Sequence, residues 1–557
     1  MRNIKVAVGF MVFAMAAVGA AQDSGAKSMP GNSAGTSPAV TLDQVVDRVV
    51  ARENAMVTEM RKMHPMVETY IQNLTYDQDR EIVPSSDKYF IGRLDLTNGT
   101  EDQSFLKRPG FGKRVLTSMN NLGSNQFLPR GFAQMVFVDD VDFRKDAYDF
   151  HYVRREFLGE VRCLVFDLQP TKSAGKGRFI GRIWVEDQDY NIVRFNGTYT
   201  PNGRNQFYFH LDSWRLNMRP GTWLPAYVYS EETGEKKKPF HFKSQTRLWG
   251  YDLQMMGKGE EFAQIQVDST VKDQSEVAQD ASPLQAQRLW ERQAEDNAIN
   301  RLERVGLLAP VGEVDKVLQT VVNNLIVTNN LEITPEVRCR VLLTSPLESF
   351  TLGHTIVVSR GLLDVLPDEP SLAMVMAHEL GHIVLGHRID TELAFNDRLF
   401  FPDEKTYERL DFVRDPVEEQ EADAKALELL KKSPYNDKLA TAGLFLKALQ
   451  DRAPQLKALI RPHLGNGLAK GDTLRMAALL NGAPQLDPKR PDQIAALPLG
   501  GRIKLDPWSD HVELVKAKPV PVLSAQDKMP FEVTPFFPHL SRLGTPGNNI
   551  ALVPSTQ

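Results

Sequence analysis

The sequence predicts an α+β multidomain chain, with a β-rich N-terminal domain built on an antiparallel curved sheet and a mainly α-helical domain after it. Three observations predict this. Between Ile82 and Gln266, short alternating runs are separated by Gly, Asn and Asp, the grammar of an antiparallel sheet of many strands. A polar connector at 268–282 then interrupts the pattern. From Leu284 onward the apolar residues recur at helical spacing instead. At 557 residues the chain is too long for one core. It divides into 1–21, 22–40, 41–275, 276–515 and 516–557.

In the first segment, Arg2 and Lys5 precede an apolar run from Val6 to Val18, and small residues Gly19, Ala20 and Ala21 follow. This pattern reads as a secretory signal peptide over 1–21, so the expected location is the periplasm, with full secretion as the alternative. The run is short for a bilayer, and every later stretch of about twenty residues carries charge, so no membrane span is expected in the mature protein. Residues 22–40, rich in Ser, Gly, Ala and Pro, read as a flexible linker. A helix is expected from Leu42 to Leu74, with Val45, Val46, Val49, Val50, Met56 and Met60 near helical spacing.

The strand runs include Tyr89–Leu94, Gln134–Val138, Tyr148–Val153, Cys163–Leu168, Gly177–Val185, Asn191–Phe195, Gln206–Leu211 and Ala226–Ser230. Arg182 to Phe195 reads as a hairpin turning at Glu186–Tyr190. His151, His210 and His241 are scattered and show no ligand spacing. This grammar resembles that of the LolA-like lipoprotein carriers, which implies a concave apolar face able to hold a lipid or an extended peptide. The competing expectation is that the helix at 42–74 covers that face. Composition excludes other classes. With 42% hydrophobic residues and a formal net charge of −5, the chain has no electrostatic footprint for nucleic acid. Cys163 and Cys339 fall in different predicted domains and read as two buried, unpaired thiols in preference to a disulfide.

In the second half, Leu284–Leu308 and Val314–Asn324 read as helices, the latter with Val317, Leu318, Val321 and Val322 on one face. Arg338–Thr344 and Thr355–Ser359 read as strands, and Gly361–Leu366 as a short helix. The next helix, opened by Pro370 and Ser371, carries His378-Glu379-Leu380-Gly381-His382. Histidines four residues apart stand one above the other on a helix and can present two imidazole nitrogens to one metal. Glu379 beside them can serve as general base to an attacking water. Leu372, Val375, Met376, Ile383 and Leu385 read as the apolar residues that bury this helix. Two imidazoles and a carboxylate suit zinc, one Zn2+ per chain.

A catalytic site needs a third protein ligand. A histidine ten residues after His378 is absent, since Arg388 stands there, and His387 falls on another face of a continued helix and reads as structural. Downstream, Glu419 and Asp423 share one face of a helix that follows Pro416. Glu419 can bind the metal while Asp423 hydrogen-bonds a ligand histidine; the competing reading is a solvated acidic face with Glu418 and Glu421.

Together, His378-Glu379-Leu-Gly-His382 and Glu419-Gln-Glu-Ala-Asp423 resemble the CAAX-prenyl-protease-type gluzincins, the HtpX-like, Oma-type and BepA-like zinc metallopeptidases, in a soluble exported branch. The resemblance covers roughly 284–515 and implies a zincin-like domain with His378, His382 and Glu419 as zinc ligands, Glu379 as base and Asp423 behind a ligand. Ser349-Phe350-Thr-Leu-Gly353 through Gly361 resembles the family's substrate-pairing segment, which implies that a protein or peptide substrate pairs along an edge strand at 355–359. The chain departs from the pattern at Glu348-Ser349 and at His354. The family's late His or Arg facing the zinc is expected at Arg502 or His511. After Lys516 a Pro-rich tail is expected to lie extended over the surface. The function expected is an exported zinc endopeptidase acting on envelope or extracellular proteins. The alternative is a periplasmic chaperone or a lipid- or peptide-binding module whose zinc site is secondary.

Overall fold

The computed structural model describes residues 41–76, 82–95, 101–104, 129–140, 143–200, 209–232, 241–251, 295–387, 410–470, 473–484, 503–505, 512–514, 531, 533 and 535–543. The expected signal peptide, linker and polar connector lie outside the described residues. From Val40 onward the chain forms one compact unit.

Helix α1 (Leu42–Met60) opens on a capping box, in which Thr41 accepts from Gln44 N and the Gln44 side chain accepts from Thr41 N, both at 3.3 Å. Its apolar stripe, Val45, Val46, Val49, Met56, Val57 and Met60, is buried. The helix stops at Met60, well short of the expected Leu74. Pro65 disfavours helical backbone at His64, and Val67, Thr69 and Ile71 then favour extended chain. Strand β1 (Met66–Tyr76) therefore occupies the second half of the expected helix.

The remaining strands of the large sheet are β2 (Ile82–Asp95), β3 (Glu101–Ser104), β4 (Tyr148–Leu158), β5 (Val161–Pro170), β6 (Phe179–Glu186), β7 (Ile192–Tyr199), β8 (His210–Arg219), β9 (Thr222–Glu232) and β10 (Phe242–Trp249). They pair in the order β3-β2-β1-β10-β9-β8-β7-β6-β5-β4, antiparallel throughout. The expected hairpin is the β6–β7 pair, with Trp184 opposite Arg194. The run Gln134–Val138 is not a strand. A short helix, α2 (Pro129–Gln134), ends in it, and Met135 N and Phe137 N return to Phe132 O and Gln134 O at 3.2 Å, so these amides are satisfied locally.

Register assigns the sheet's two faces. One row runs Val165, Trp184, Arg194, Trp214, Tyr227, Arg247, Glu68, Ile91 across eight strands. Its Val165, Trp184, Trp214, Tyr227 and Ile91 belong to the same apolar core as the helices of the second half. On this face the C-terminal segment also packs, with Phe536 edge-on to Tyr227 and Phe537 edge-on to Trp214. Helix α1 joins the sheet elsewhere, and its buried Glu53 meets Arg215 of β8 in a bidentate pair at 2.6 and 2.8 Å. Helix α1, shorter than expected, and the second half of the chain thus pack on different parts of the sheet.

The second half is helical at 295–305 and in α3 (Glu313–Thr328), α4 (Arg360–Val365), α5 (Glu369–Leu385), α6 (Pro416–Lys431) and α7 (Leu439–Arg452). On α3 the buried stripe is Val314, Leu318, Val321, Val322 and Leu325; Val317, expected on it, is 41% exposed because it falls at the margin of the stripe, on the side of the exposed Glu313 and Thr320. A small mixed sheet takes β11 (Arg338–Leu342), β12 (Glu348–Leu352), β13 (Thr355–Ser359) and β14 (Asn466–Gly467) in the order β11-β13-β12-β14. The expected edge strand at 355–359 is β13, an interior strand. β11 pairs with it in parallel and β12 antiparallel, so both its ladders are taken and it has no edge to offer a substrate.

Buried polar contacts tie the two halves. Glu68 of β1 accepts from Ser345 N at 2.6 Å and Ser345 Oγ at 2.8 Å, and Asp87 of β2 accepts from Ala458 N and Leu459 N at 2.8 and 2.7 Å. Trp249 Nε1 donates to Gly306 O at 2.8 Å. Both cysteines are buried and free, and burial pushes each thiol up to about 12.

Candidate metal centre

Helix α5 starts where expected. Asp368 caps it by accepting from Ser371 N at 3.0 Å, and Pro370 stands in the first turn. Residues Pro370 to His382 are all buried, whereas Ile383 is half-buried and Leu385 is 43% exposed, so the apolar burial ends one turn earlier than the sequence suggests. Helix α6 is capped by Asp415 and also begins with Pro416. The two helices touch at Gly381, where an added Cβ would lie 2.9 Å from Ala422 O. The glycine of the motif is therefore what lets α6 approach closely enough to bring Glu419 over the histidines.

The three ligand candidates converge. One donor atom each from His378, His382 and Glu419 lies within 4.8 Å of the others. His378 Nε2 and His382 Nε2 are 3.1 Å apart, and each is 3.4 Å from a Glu419 oxygen. Asp423, one turn further along α6, meets His378 Nδ1 at 2.7 Å and also accepts from Met476 N at 2.9 Å. With Nδ1–H of His378 committed to Asp423, its Nε2 presents a bare lone pair toward the same point as Glu419. This donor set and second layer fit zinc. Burial and the Arg475 charge work to lower His378, but Asp423, Glu419 and Glu379 outweigh them and hold it above its ordinary value; the other two groups are shifted toward their ligating forms. Burial works to raise Glu419, but Arg475 and the two histidines outweigh it and hold the carboxyl far below its usual range. Burial pushes His382 down to about 4, so it is neutral, the form that ligates.

Glu379 is buried and held by three donors. Ser349 Oγ reaches Oε1 at 2.7 Å, Thr351 Oγ1 reaches Oε2 at 2.7 Å, and Arg475 Nη1 reaches Oε1 at 3.1 Å. Burial alone would raise this carboxyl; the Arg475 charge and the neighbouring histidines bring it below its ordinary value. The departure at Glu348-Ser349 now has a physical content. Ser349 supplies a hydroxyl to the candidate base, and the fully buried Glu348 accepts from His463 N and Leu464 N at 2.9 Å, pinning the loop that leads into β14.

Arg475 is a residue of the candidate site that the sequence does not single out. Besides Glu379 it contacts Glu419 Oε2 through Nε at 2.9 Å, and Asn466 donates to the other Glu419 oxygen. Arg502 and His511, where the late cationic group facing the zinc is expected, lie outside the described residues. The only sequence signal of Arg475 was an arginine beside the apolar pair Leu474 and Met476, between the two-residue strands β15 (Ala469–Lys470) and β16 (Thr473–Leu474) and a short 3-10 turn, where no periodicity marks it. His387, read as structural, sits directly on His382.

Residues 313–397 match the model of peptidase family M48, which covers α3, the small sheet's first three strands and the motif helix α5. No curated protein sequence matches the chain. Among solved structures, a DUF1329 family protein from Desulfovibrio piger is similar at 12% identity, over 38% of this chain and 94% of that one, with a TM-score of 0.21. A domain described as an outer membrane lipoprotein-sorting protein from Vibrio parahaemolyticus is similar at 11% identity, over 36% of this chain and 91% of that one, with a TM-score of 0.20. No described helix is long and apolar enough to cross a membrane.

Proposed function

We propose that this chain, whose residues 313–397 match peptidase family M48 and support a metallopeptidase activity in general, is a zinc endopeptidase that is exported to the periplasm and hydrolyses peptide bonds of envelope or extracellular proteins. The observation that carries it is the convergence of His378, His382 and Glu419 on one point with Asp423 behind His378 and Glu379 alongside. The signal-peptide pattern at 1–21 supports export.

His378, His382 and Glu419 would hold the zinc, which supplies a Lewis acid and lowers the pKa of water at the site. Glu379 takes a proton from the attacking water as the new O–C bond forms at the scissile carbonyl. It returns that proton to the amide nitrogen as the C–N bond breaks. Ser349 and Thr351 fix the orientation of the Glu379 carboxylate, and Arg475 keeps Glu379 and Glu419 both ionised in a buried site. Asp423 holds His378 in the tautomer that leaves Nε2 free.

The test is the metal content of the purified mature protein, wild type beside Glu419→Ala, with cleavage of an unfolded protein followed in parallel. About one zinc per wild-type chain, much less in the variant, and cleavage abolished by a chelator are expected. A wild-type chain that takes up no zinc on reconstitution would sink the reading.

A further inference from the structure

The αL residue that ends α5 changes what His387 can do. Gly386 has φ +72°, and beyond it the chain folds back so that His387 N donates to His382 O at 3.0 Å. An added Cβ at Gly386 meets open space, so the glycine is required by backbone conformation and not by crowding. Counting on a continued helix puts His387 on a different face from His382. The helix does not continue, and the return places the His387 ring against the His382 ring, with centroids 5.1 Å apart.

His382 Nδ1 and His387 Nδ1 are 2.9 Å apart, and His387 Nε2 is 3.1 Å from Glu421 Oε2. One assignment of protons satisfies every contact. The Glu421 carboxylate accepts from His387 Nε2–H, the bare His387 Nδ1 accepts from His382 Nδ1–H, and the His382 Nε2 lone pair is left facing Glu419. The arrangement parallels the one on the other histidine, where Asp423 accepts directly from His378 Nδ1 at 2.7 Å. Glu419, Glu421 and Asp423 all stand on α6, so one helix supplies a carboxylate to the ligand cluster and one to the back of each histidine. The His387 side chain is 9% exposed, against 58% for Glu421, so the relay runs from the protein surface to the ligand.

We propose that His387, held by Glu421, is a positioning residue for His382: it fixes the tautomer and ring orientation that make Nε2 a metal ligand, as Asp423 does for His378. This rests on the zinc reading above and adds to it a second, indirect carboxylate–histidine pair.

The experiment uses the full-length mature protein as wild type, His387→Phe and His387→Gln. Phenylalanine keeps the ring volume and removes both nitrogens; glutamine restores an acceptor for His382 and a donor for Glu421. Each is loaded with zinc, and release to excess chelator is timed; each is also loaded with Co2+ and its visible absorption recorded. In His387→Phe, zinc is expected to leave about 10- to 100-fold faster and the cobalt bands to shift, with most of both effects recovered in His387→Gln. The melting temperature of the metal-free protein is expected to be the same in all three. Zinc release from His387→Phe within about twofold of wild type, with an unchanged cobalt spectrum, would overturn the proposal and leave the zinc reading standing. A fall in metal-free melting temperature that accounts for faster release would also overturn it, since His387 would then only be packing. A wild-type chain that binds neither metal would remove the zinc reading and this proposal together.

Discussion

Buried charge is used in opposite ways in the large sheet and in the α5–α6 pair. In the sheet, buried charges of opposite sign pair directly. Glu53 and Arg215 meet through two oxygens and two nitrogens, and Arg194 lies between Trp184 and Trp214 while its guanidinium pairs with Asp212 at 2.7 and 2.9 Å. In the helix pair, acceptors face one another: two imidazole nitrogens 3.1 Å apart, both near one carboxylate, with both Nδ1 atoms already engaged behind them. Burying matched polar groups stabilises a fold or leaves it unchanged, whereas converging lone pairs are tolerated only where a cation is to be held. The contrast marks the point where a cation can be held without reference to any motif; Glu379, matched by Ser349, Thr351 and Arg475, is set apart by standing beside that point.

The largest expected effect is on the chemical side. Glu379→Gln keeps the volume and can keep the Ser349 and Thr351 contacts, but it has no site for the water's proton. Cleavage of an unfolded protein substrate should fall by about 10²- to 10⁴-fold while zinc content stays at the wild-type level. An unchanged rate would break the comparison at its centre, because Glu379 would then belong with the matched, structural carboxylates.

The structural side should answer in stability. Glu53→Ala leaves the Arg215 charge buried without its partner, at a cost of about 3–5 kcal/mol by chemical denaturation. Replacing both members, Glu53→Leu with Arg215→Met, should recover most of that loss, because a buried ion pair can be exchanged for apolar packing. Activity per folded molecule on a short peptide should be unchanged in either variant. A double variant as damaged as the single one would show that the pair holds α1 to β8 in a way packing cannot replace.

How much of this was legible in the sequence follows the same division. The α+β class, the β6–β7 hairpin and the α5 helix start were readable because they rest on local pattern and capping. His378 with His382, and Glu419 with Asp423, were readable as pairs sharing one helix face, while the resemblance to the gluzincins favoured Glu419 and Asp423 over a solvated acidic face and gave Glu379 its role; the structure brings His378, His382 and Glu419 together. What local pattern does not encode was missed. Pro65 ends α1 early, but the strand that follows is fixed by its pairing with β10 and β2. The position of 355–359 inside its sheet depends on β11 pairing in parallel with β13 on the side away from β12, a pairing order that the strand pattern alone does not specify. Arg475 reaches the site through two-residue strands with no periodicity, and His387 reaches His382 only because Gly386 adopts positive φ.

The smallest predicted effect concerns Glu186, a structural carboxylate that shares one property with Glu419, the proposed ligand: both are depressed. Burial works to raise Glu186, but Asn191 N and Nδ2, Arg542 and Gln188 N donate to it and hold it below its ordinary 4.5. The folded state therefore binds fewer protons here than the unfolded one. The stabilisation is present above the unfolded value of 4.5 and is lost as pH falls from there through the folded value. Glu186→Gln removes that linkage. The variant should be less stable than wild type at neutral pH and should converge on it as the pH is lowered, seen as urea midpoints that approach each other between about pH 5 and pH 3. Glu186 also joins the β6–β7 turn to Arg542 of the C-terminal segment, so the lost contacts should appear as faster proteolysis after Phe537 in the variant at neutral pH. Parallel midpoints across the whole range would mean that the donors around Glu186 only offset its burial, and that a depressed carboxyl in this fold is no sign of net stabilisation, in the sheet or at the metal centre.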